Sequence, residues 1–597
     1  MTQFLTTARL AVLSLAFVTA SLSAQEATAV DKQPSTPPVL VIRLEGGYLD
    51  LPEQGADLTA LLTGGGAQPK DFYEMLGRLE DLAKSESQHL LFDFSAPFSF
   101  NLAQVAELDR AIASLRKAGK TTWAYLEGAE STAYQLASQC EKVMLADLGV
   151  LDIPAPALNV TFLKDALDLI GVQFDVVRCG DFKGAVEPYV LPQMSDHLRK
   201  HYLAMVERMN ASIVDRVARG RKLPASRVRE LQSQRIFTAK AALDAGLVDA
   251  LVPWAGAQAA MKRVTGTDDL AFEPAAKKKD KKSINPLQLL TQLFNPKEEE
   301  EESGDTVLAV LHLSGAIEDG AKPSPGTIVS GPTVAEIEKL AKDEAVKGVV
   351  VRINSPGGSA TASEAILLAL RDLSSKKPIV VSMGQVAASG GYYVTCFGRP
   401  ILAEEGTITG SIGVFGMKPS LGALMRRIGV HSELVALDES AGMNGMDRGW
   451  SDAEKARIQG FVNQIYDVFV GHVARSRGKS ADDVLAIAGG RVWSGGQAVE
   501  LVLVDKIGGL DDALAMVKAD AKLDGEFEVR HVPRPKSFLE TLTSGMLDAK
   551  VLLPDGIAQV VAKRLDLDRA LRIVVDALQN ERPTLVWAMA PEALRLR

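Results

Sequence analysis

The stretch Met383 to Gly391, M-G-Q-V-A-A-S-G-G, sets one small hydroxyl among alanines and glycines, and Ser389 is the residue best placed to act as a nucleophile. Upstream, Pro378-Ile-Val-Val-Ser382 reads as a short buried strand, and downstream Tyr392-Tyr393-Val394 resumes an apolar pattern that can start a helix. Ser389 is therefore predicted at a strand-to-helix turn, exposed at the tip of a rigid element. The N–H groups of Gly390 and Gly391 would lie where a helix N-terminus favours developing negative charge. Taken alone, A-A-S-G-G reads more readily as a tight structural turn in which serine and glycines only satisfy backbone geometry.

Other reactive residues offer less. The three cysteines, Cys140, Cys179 and Cys396, are widely spaced and suggest neither a disulfide framework nor a zinc site. Cys179 has no flanking glycine turn or histidine and reads as a buried structural thiol. The seven histidines form no metal-ligand spacing, so chemistry without metal or cofactor is expected. With 47% hydrophobic and 24% charged residues, the 597-residue chain is ordinary globular material, long enough for several domains. A net charge of -9 argues against nucleic acid as a main partner.

Arg9, the apolar run Leu10 to Ala20 and the small residues Ser21 to Ala24 form an export signal, so residues 1–24 are predicted to be a signal peptide or membrane anchor, with the body outside the cytoplasm. The run is short for a spanning helix, which needs about 20 apolar residues.

The body then repeats itself. Val39-Leu-Val-Ile-Arg-Leu-Glu-Gly46 is echoed by Leu308-Ala-Val-Leu-His-Leu-Ser-Gly315, and Leu169-Ile-Gly-Val172 by Arg427-Ile-Gly-Val430. The block Arg235 to Asp249 aligns without a gap on Arg491 to Asp505, a separation of 491 − 235 = 256 residues. Short β-branched strands alternate with amphipathic helices such as Ala103 to Ala118 and Thr333 to Asp343, the rhythm of an α/β unit with a mostly parallel sheet. The expected organisation is a first repeat over 39–273, a charged linker over 274–305, a second repeat over 306–532 and a helical tail over 533–597. In the linker, Ile284 to Phe294 could form one apolar helical face; in the tail, Phe538, Leu542 and Leu547 could do the same.

The copies differ where chemistry would sit. Copy two has Ser355-Pro-Gly-Gly358, whose glycines let backbone approach a carbonyl closely, whereas copy one has Ala96-Pro-Phe-Ser99. Ser389 is replaced by Thr132 in copy one. Conversely, Asp181-Phe-Lys-Gly-Ala-Val-Glu-Pro188 holds Lys183, while the matching Asp438 to Met446 has no lysine. Base and nucleophile would then come from different halves. A lysine, with an ordinary pKa of about 10.4, accepts a proton at neutral pH only if burial lowers that value. Phe182, Ala185 and Val186 could supply the burial, and Glu187 would have to point away.

A-A-S-G-G-Y-Y, N-S-P-G-G, T-G-S-I-G at Thr409 to Gly413 and F-K-G-A-V-E-P together resemble the long, tandemly duplicated signal peptide peptidases of the SppA or protease IV family. The resemblance extends from Val39 to about Val532. It implies a tandem duplication of a ClpP/crotonase-like ββα spiral domain and a Ser/Lys dyad assembled between the repeats. By position, Ser389 matches the nucleophile, Lys183 the general base and Ser411 the hydroxyl that orients the lysine, with the N–H groups of Gly358 and Gly390 as oxyanion hole. It also implies peptide substrates, remnant signal peptides among them, and a membrane-associated homotetramer on the periplasmic side of the cytoplasmic membrane. Two other readings are compatible with the residues: a crotonase-type thioester enzyme, disfavoured by export, and a non-catalytic peptide-binding scaffold.

Overall fold

Long runs of β-branched residues build the centre of each half. In Val346–Ser355, Val349, Val350, Val351 and Ile353 are all fully buried, the signature of a strand covered on both faces. The computed structural model describes residues 39–51, 69–254, 256–266, 270–272, 306–525, 527–533 and 586–589, all within the unit Pro38–Arg597. The predicted export segment, the linker with Ile284 to Phe294, and Phe538, Leu542 and Leu547 lie outside the described residues. Among the described residues, no helix is long and apolar enough to cross a membrane.

The first half centres on a parallel sheet in the order Leu270–Phe272, Val39–Arg43, His89–Asp93, Thr121–Leu126, Lys142–Ala146 and Ala250–Val252. The second repeats that order with Glu528–Val532, Val307–Ser314, Val346–Ser355, Ile379–Ala388, Ile401–Ala403 and Lys506–Ile507, again all parallel. Helices match as well: Phe72–Lys84 and Ser330–Lys342 have 13 residues each, and Asp196–Arg221 and Asp452–Arg477 have 26 each. Even single contacts recur. Tyr134 donates to the Leu247 carbonyl at 2.7 Å and Tyr392 to Leu503 at 2.8 Å, while Asp249 and Asp505 each pair with the last arginine of the 26-residue helix. The chain is a tandem duplication of one α/β unit.

Most predicted elements shift by a residue or a few. The helices expected at Ala103 to Ala118 and Thr333 to Asp343 run over Leu102–Lys117 and Ser330–Lys342, the first opened by a reciprocal Asn101/Gln104 cap. The strand before the serine continues to Ala388, well past Ser382, because Val386, Ala387 and Ala388 pair with Ile408–Gly410. The tail needs a larger correction: its one described stretch within 534–597, Val586–Met589, is a strand rather than part of a helix.

Two of the features that join the halves bear directly on the site. Gln173–Cys179 of the first copy pairs antiparallel with Val414–Ser420 of the second, from Gln173 opposite Ser420 to Cys179 opposite Val414. That sheet continues through Val586–Met589 to Gly357–Ser359, Ala316–Glu318 and Thr327–Val329. Elsewhere, wholly buried Arg352 donates to Asp50 (2.9 Å) and Glu107 (2.7 Å) of the first copy and to Ser382 Oγ (2.8 Å) at the serine strand. Burial favours the neutral form of both carboxyls. The guanidinium nevertheless holds Asp50 below its usual range, whereas burial leaves Glu107 pushed up to about 7.

Candidate active site

Ser389, Lys183 and Ser411 each lie beyond the end of a strand, and Gly358 lies within one. The strand Ile379–Ala388 ends where the four-residue helix Gly390–Tyr393 begins, and Ser389 between them has φ 57° and ψ -117°. For a residue with a Cβ, this left-handed backbone is strained, and it persists only where surroundings enforce it. Here the Ser389 N–H donates to the Gly410 carbonyl at 2.8 Å. Ser411, next in that loop, is likewise at φ 51° and is held by a 2.6 Å bond from its N–H to the Arg491 carbonyl.

Lys183 arrives from the other copy. It lies just beyond the antiparallel strand Gln173–Cys179, and its side chain is completely buried. Its Nζ is 2.6 Å from Ser389 Oγ and 3.0 Å from both the Ser411 carbonyl oxygen and Ser411 Oγ. Burial holds the amine well below the usual lysine range. A neutral amine has two N–H donors and one lone pair. With both donors directed to Ser411, the lone pair is left for the Ser389 hydroxyl.

Glu187 points away, as required: it accepts from the N–H and Oγ of Ser195, at 3.0 and 2.7 Å. Ala185 and Val186 are buried in an apolar cluster with Tyr189, Phe415 and Met417. Phe182 does not join that cluster; its ring lies 3.9 Å from the Arg491 guanidinium and edge-on to His197 and His201.

The expectation of an exposed serine is overturned. Ser389 is fully buried, because the first copy lays Lys183 over it and the loop of Ser411 closes another side. The two glycine turns meet: the helix that starts at Gly390 packs against Gly357–Ser359, and a Cβ on Gly391 would stand 2.5 Å from the Ser355 carbonyl oxygen. Gly358 is held as tightly, its Cβ position being 2.7 Å from Ile317 N. The first N–H groups of a helix have no partner within it, so Gly390 presents a donor beside Ser389.

Sequence reasoning missed the residues that clamp the lysine loop. Phe182 N–H donates to the Gly489 carbonyl at 2.9 Å, and a Cβ on Gly490 would lie 2.6 Å from Lys183 Cα and 2.8 Å from its Cβ. A signal existed in the gapless repeat, where Gly489-Gly490 stands opposite Ser233-Gln234. Cys179 is buried and donates to Asn463 Oδ1 at 3.0 Å, and burial raises its thiol pKa, which suits a structural role. Among the described residues, no group of three or more His, Cys, Asp or Glu is placed to hold a metal ion.

A buried serine hydroxyl on a strained turn, an amine beside it whose pKa burial lowers, and glycine turns alongside are groups that could together support attack by a hydroxyl. Comparison with known proteins supplies the class. The family model "Peptidase family S49" matches residues 114–268 and again 371–524, one block in each half. "Protease 4" of Salmonella typhi is 31% identical over 462 residues, 75% of this chain and 72% of that protein. "Protease 4" of Haemophilus influenzae is 32% identical over 411 residues, 68% of this chain and 65% of that one. "Serine protease SPPA, chloroplastic" of Arabidopsis thaliana is 25% identical over 457 residues, 75% and 66% of the two chains. The chain belongs to peptidase family S49, as a serine peptidase of the long, duplicated SppA type with a tandem ClpP/crotonase-like fold.

Proposed function

We propose that the protein is a serine endopeptidase with a Ser389/Lys183 dyad, acting on remnant signal peptides and other unfolded, apolar segments. Its place is the outer, periplasmic face of the cytoplasmic membrane. The observation that carries the dyad is the 2.6 Å approach of Lys183 Nζ to Ser389 Oγ, between residues 206 apart in sequence and from different copies. In acylation, Ser389 Oγ bonds to the scissile carbonyl carbon as its proton passes to Nζ. The carbonyl oxygen becomes an oxyanion facing the N–H groups of Gly358 and Gly390. Nζ then gives the proton to the leaving nitrogen, the C–N bond breaks and an acyl-enzyme remains. Water repeats the sequence, its proton going to Nζ and then to Oγ as the serine departs.

Homotetramer assembly and membrane association belong to the same reading. Leu434, Val435 and Leu437, with Ile428 and Val430 before them and Leu169 and Ile170 nearby in the first copy, are half to fully exposed, and apolar surface of that kind favours coverage by another chain or by lipid.

The test is labelling by a serine-reactive fluorophosphonate together with hydrolysis of a fluorogenic apolar peptide. Wild type should label at Ser389 and turn over, with kcat/KM rising through an apparent pKa well below about 10.4. Ser389→Ala and Lys183→Ala should lose turnover to a similar extent, since residues acting as a unit are not additive. Full turnover by either variant removes that residue from the mechanism.

A further inference from the structure

Three helices meet behind the turn that carries Ser389. Ala360–Lys376 begins directly after the strand Gly357–Ser359, with Ser359 as its N-cap, and holds Glu364 in its second turn. Asp452–Arg477 contributes His472, and the short helix Gly390–Tyr393 ends on Tyr393. Tyr393 is buried, its ring 4.7 Å from that of Phe469 and edge-on to His472 at 5.3 Å. Its hydroxyl donates to Glu364 Oε2 at 2.5 Å, and His472 Nε2 lies 3.0 Å from the same oxygen. Arg371 and Arg475 reach His472 Nδ1 at 3.2 and 2.8 Å; guanidinium groups only donate, so Nδ1 accepts and the ring proton is on Nε2, facing the carboxylate. Burial lowers the histidine pKa, which favours that neutral form, and burial together with the carboxylate raises that of Tyr393, which keeps its hydroxyl a donor. The first copy lacks this chain of contacts. Tyr134 makes the carbonyl contact equivalent to that of Tyr392, and the residue after it is Gln135. Arg216 holds the place of His472 in the matched 26-residue helix, and Gln135 Oε1 accepts from it at 2.6 Å. The tyrosine, carboxylate and histidine thus accompany the copy that holds Ser389.

We propose that Tyr393, bonded to Glu364, is a positioning residue that sets the turn of Ser389 and Gly390 against Gly358. The inference rests on the peptidase reading, in which the N–H groups of Gly358 and Gly390 face the oxyanion. A helix of four residues has too few internal hydrogen bonds to hold its own direction, so contacts outside it do so. The Tyr393 hydroxyl supplies one from the last residue of that helix to the helix that follows Gly358, while His472 and its two arginines hold the carboxylate from the far side. Neither Tyr393 nor Glu364 has to touch substrate for this. Losing the bond lets the two donors drift apart, which weakens what they hold in the transition state more than what they hold in the ground state.

The experiment measures kcat and KM for a fluorogenic apolar peptide, and Ki for the matching peptide aldehyde, whose hemiacetal with Ser389 places an oxygen where the oxyanion would form. Tyr393→Phe keeps the ring and removes the bond. It is expected to lower kcat and to weaken the aldehyde by about tenfold each, a fraction of the roughly 10²–10³-fold that follows outright loss of an oxyanion donor, with KM within about twofold. Glu364→Ala should match it, and the double variant should be no worse than either single. Glu364→Gln, which keeps an oxygen for the hydroxyl, should recover most of the loss. Tyr134→Phe, which deletes the 2.7 Å bond to Leu247 in the first copy, reports the effect of lost stability alone: a lower melting temperature with kcat and Ki near wild type. Should Tyr393→Phe fail to fold, the two Glu364 variants decide. A Tyr393→Phe protein that melts lower but keeps kcat and Ki overturns the positioning role, as does a loss that Glu364→Ala does not share; both leave the peptidase reading standing. Wild type that neither hydrolyses the peptide nor binds the aldehyde overturns the peptidase reading itself.

Discussion

Gly490→Ala is the substitution that most directly tests whether the second copy sets the position of the proposed base, Lys183, in the first. Gly490 has φ +83°, and its added methyl would lie 2.6 Å from Lys183 Cα, where ordinary contact begins near 3.4 Å. Lys183 N would lie closer still, so the lysine backbone must retreat by about 1 Å, or the 489–490 turn must yield by as much. Left-handed backbone in a non-glycine residue costs roughly 1–2 kcal/mol, and an overpacked contact roughly 1–3 kcal/mol more. Gly478→Ala isolates the first term: φ there is +63° and nothing lies within 4 Å of the added methyl. That control should lose about 1–2 kcal/mol in urea unfolding and keep kcat within about twofold. Gly490→Ala should lose more stability, and kcat should fall on the order of 10²-fold, the scale expected when a reacting group moves by about 1 Å. If Gly490→Ala matches the control in both measurements, the close packing on Lys183 has no part in placing its amine.

Three further outcomes follow from the same geometry. Because burial depresses the Lys183 pKa in the folded state, the unfolded chain binds the extra proton from the folded pKa up to about 10.4; wild type should gain stability relative to Lys183→Met as pH rises through that window, and parallel urea-melt profiles would contradict a buried neutral amine. Arg352→Leu should cost about 3–5 kcal/mol by stranding Asp50 and Glu107, with much of that recovered on adding Asp50→Asn and Glu107→Gln; a single variant of wild-type stability in calorimetry would refute the pairing. Ser411→Ala removes one of the two acceptors that orient Nζ, and should lower kcat with little change in KM; an unchanged kcat would show that the carbonyl alone suffices.

The sequence carried the duplication openly, since aligned blocks 256 residues apart need no spatial information. It also carried the strand-to-helix turn at Ser389, because glycines beside a β-branched run are a local signal. Burial of Ser389 was not legible: the covering group comes from residue 183, and no local period reports a contact over 206 residues. The same holds for Arg352, which reads as one charge in a strand and turns out to be fully buried and paired with two acids from the other copy. Phe182 was read as a cover for the amine on adjacency alone, whereas a cation 309 residues further along the chain claims its ring. The tail misled for a related reason. Phe538, Leu542 and Leu547, whose spacing suggested a helix, lie outside the described residues, whereas Val586–Met589, covered by the same expectation of a helical tail, finds partners in two strands elsewhere in the fold that an isolated segment lacks.

The packing of Gly490 on Lys183 also has a temporal meaning. A ribosome makes the chain from its N-terminus, so Lys183 is complete long before Ser389 exists, and Ser389 before the 489–491 turn that fixes both the lysine loop and Ser411. A growing or prematurely ended chain carries pieces of a site whose geometry closes only with the last of them. Potentially destructive chemistry is thereby withheld from unfinished copies.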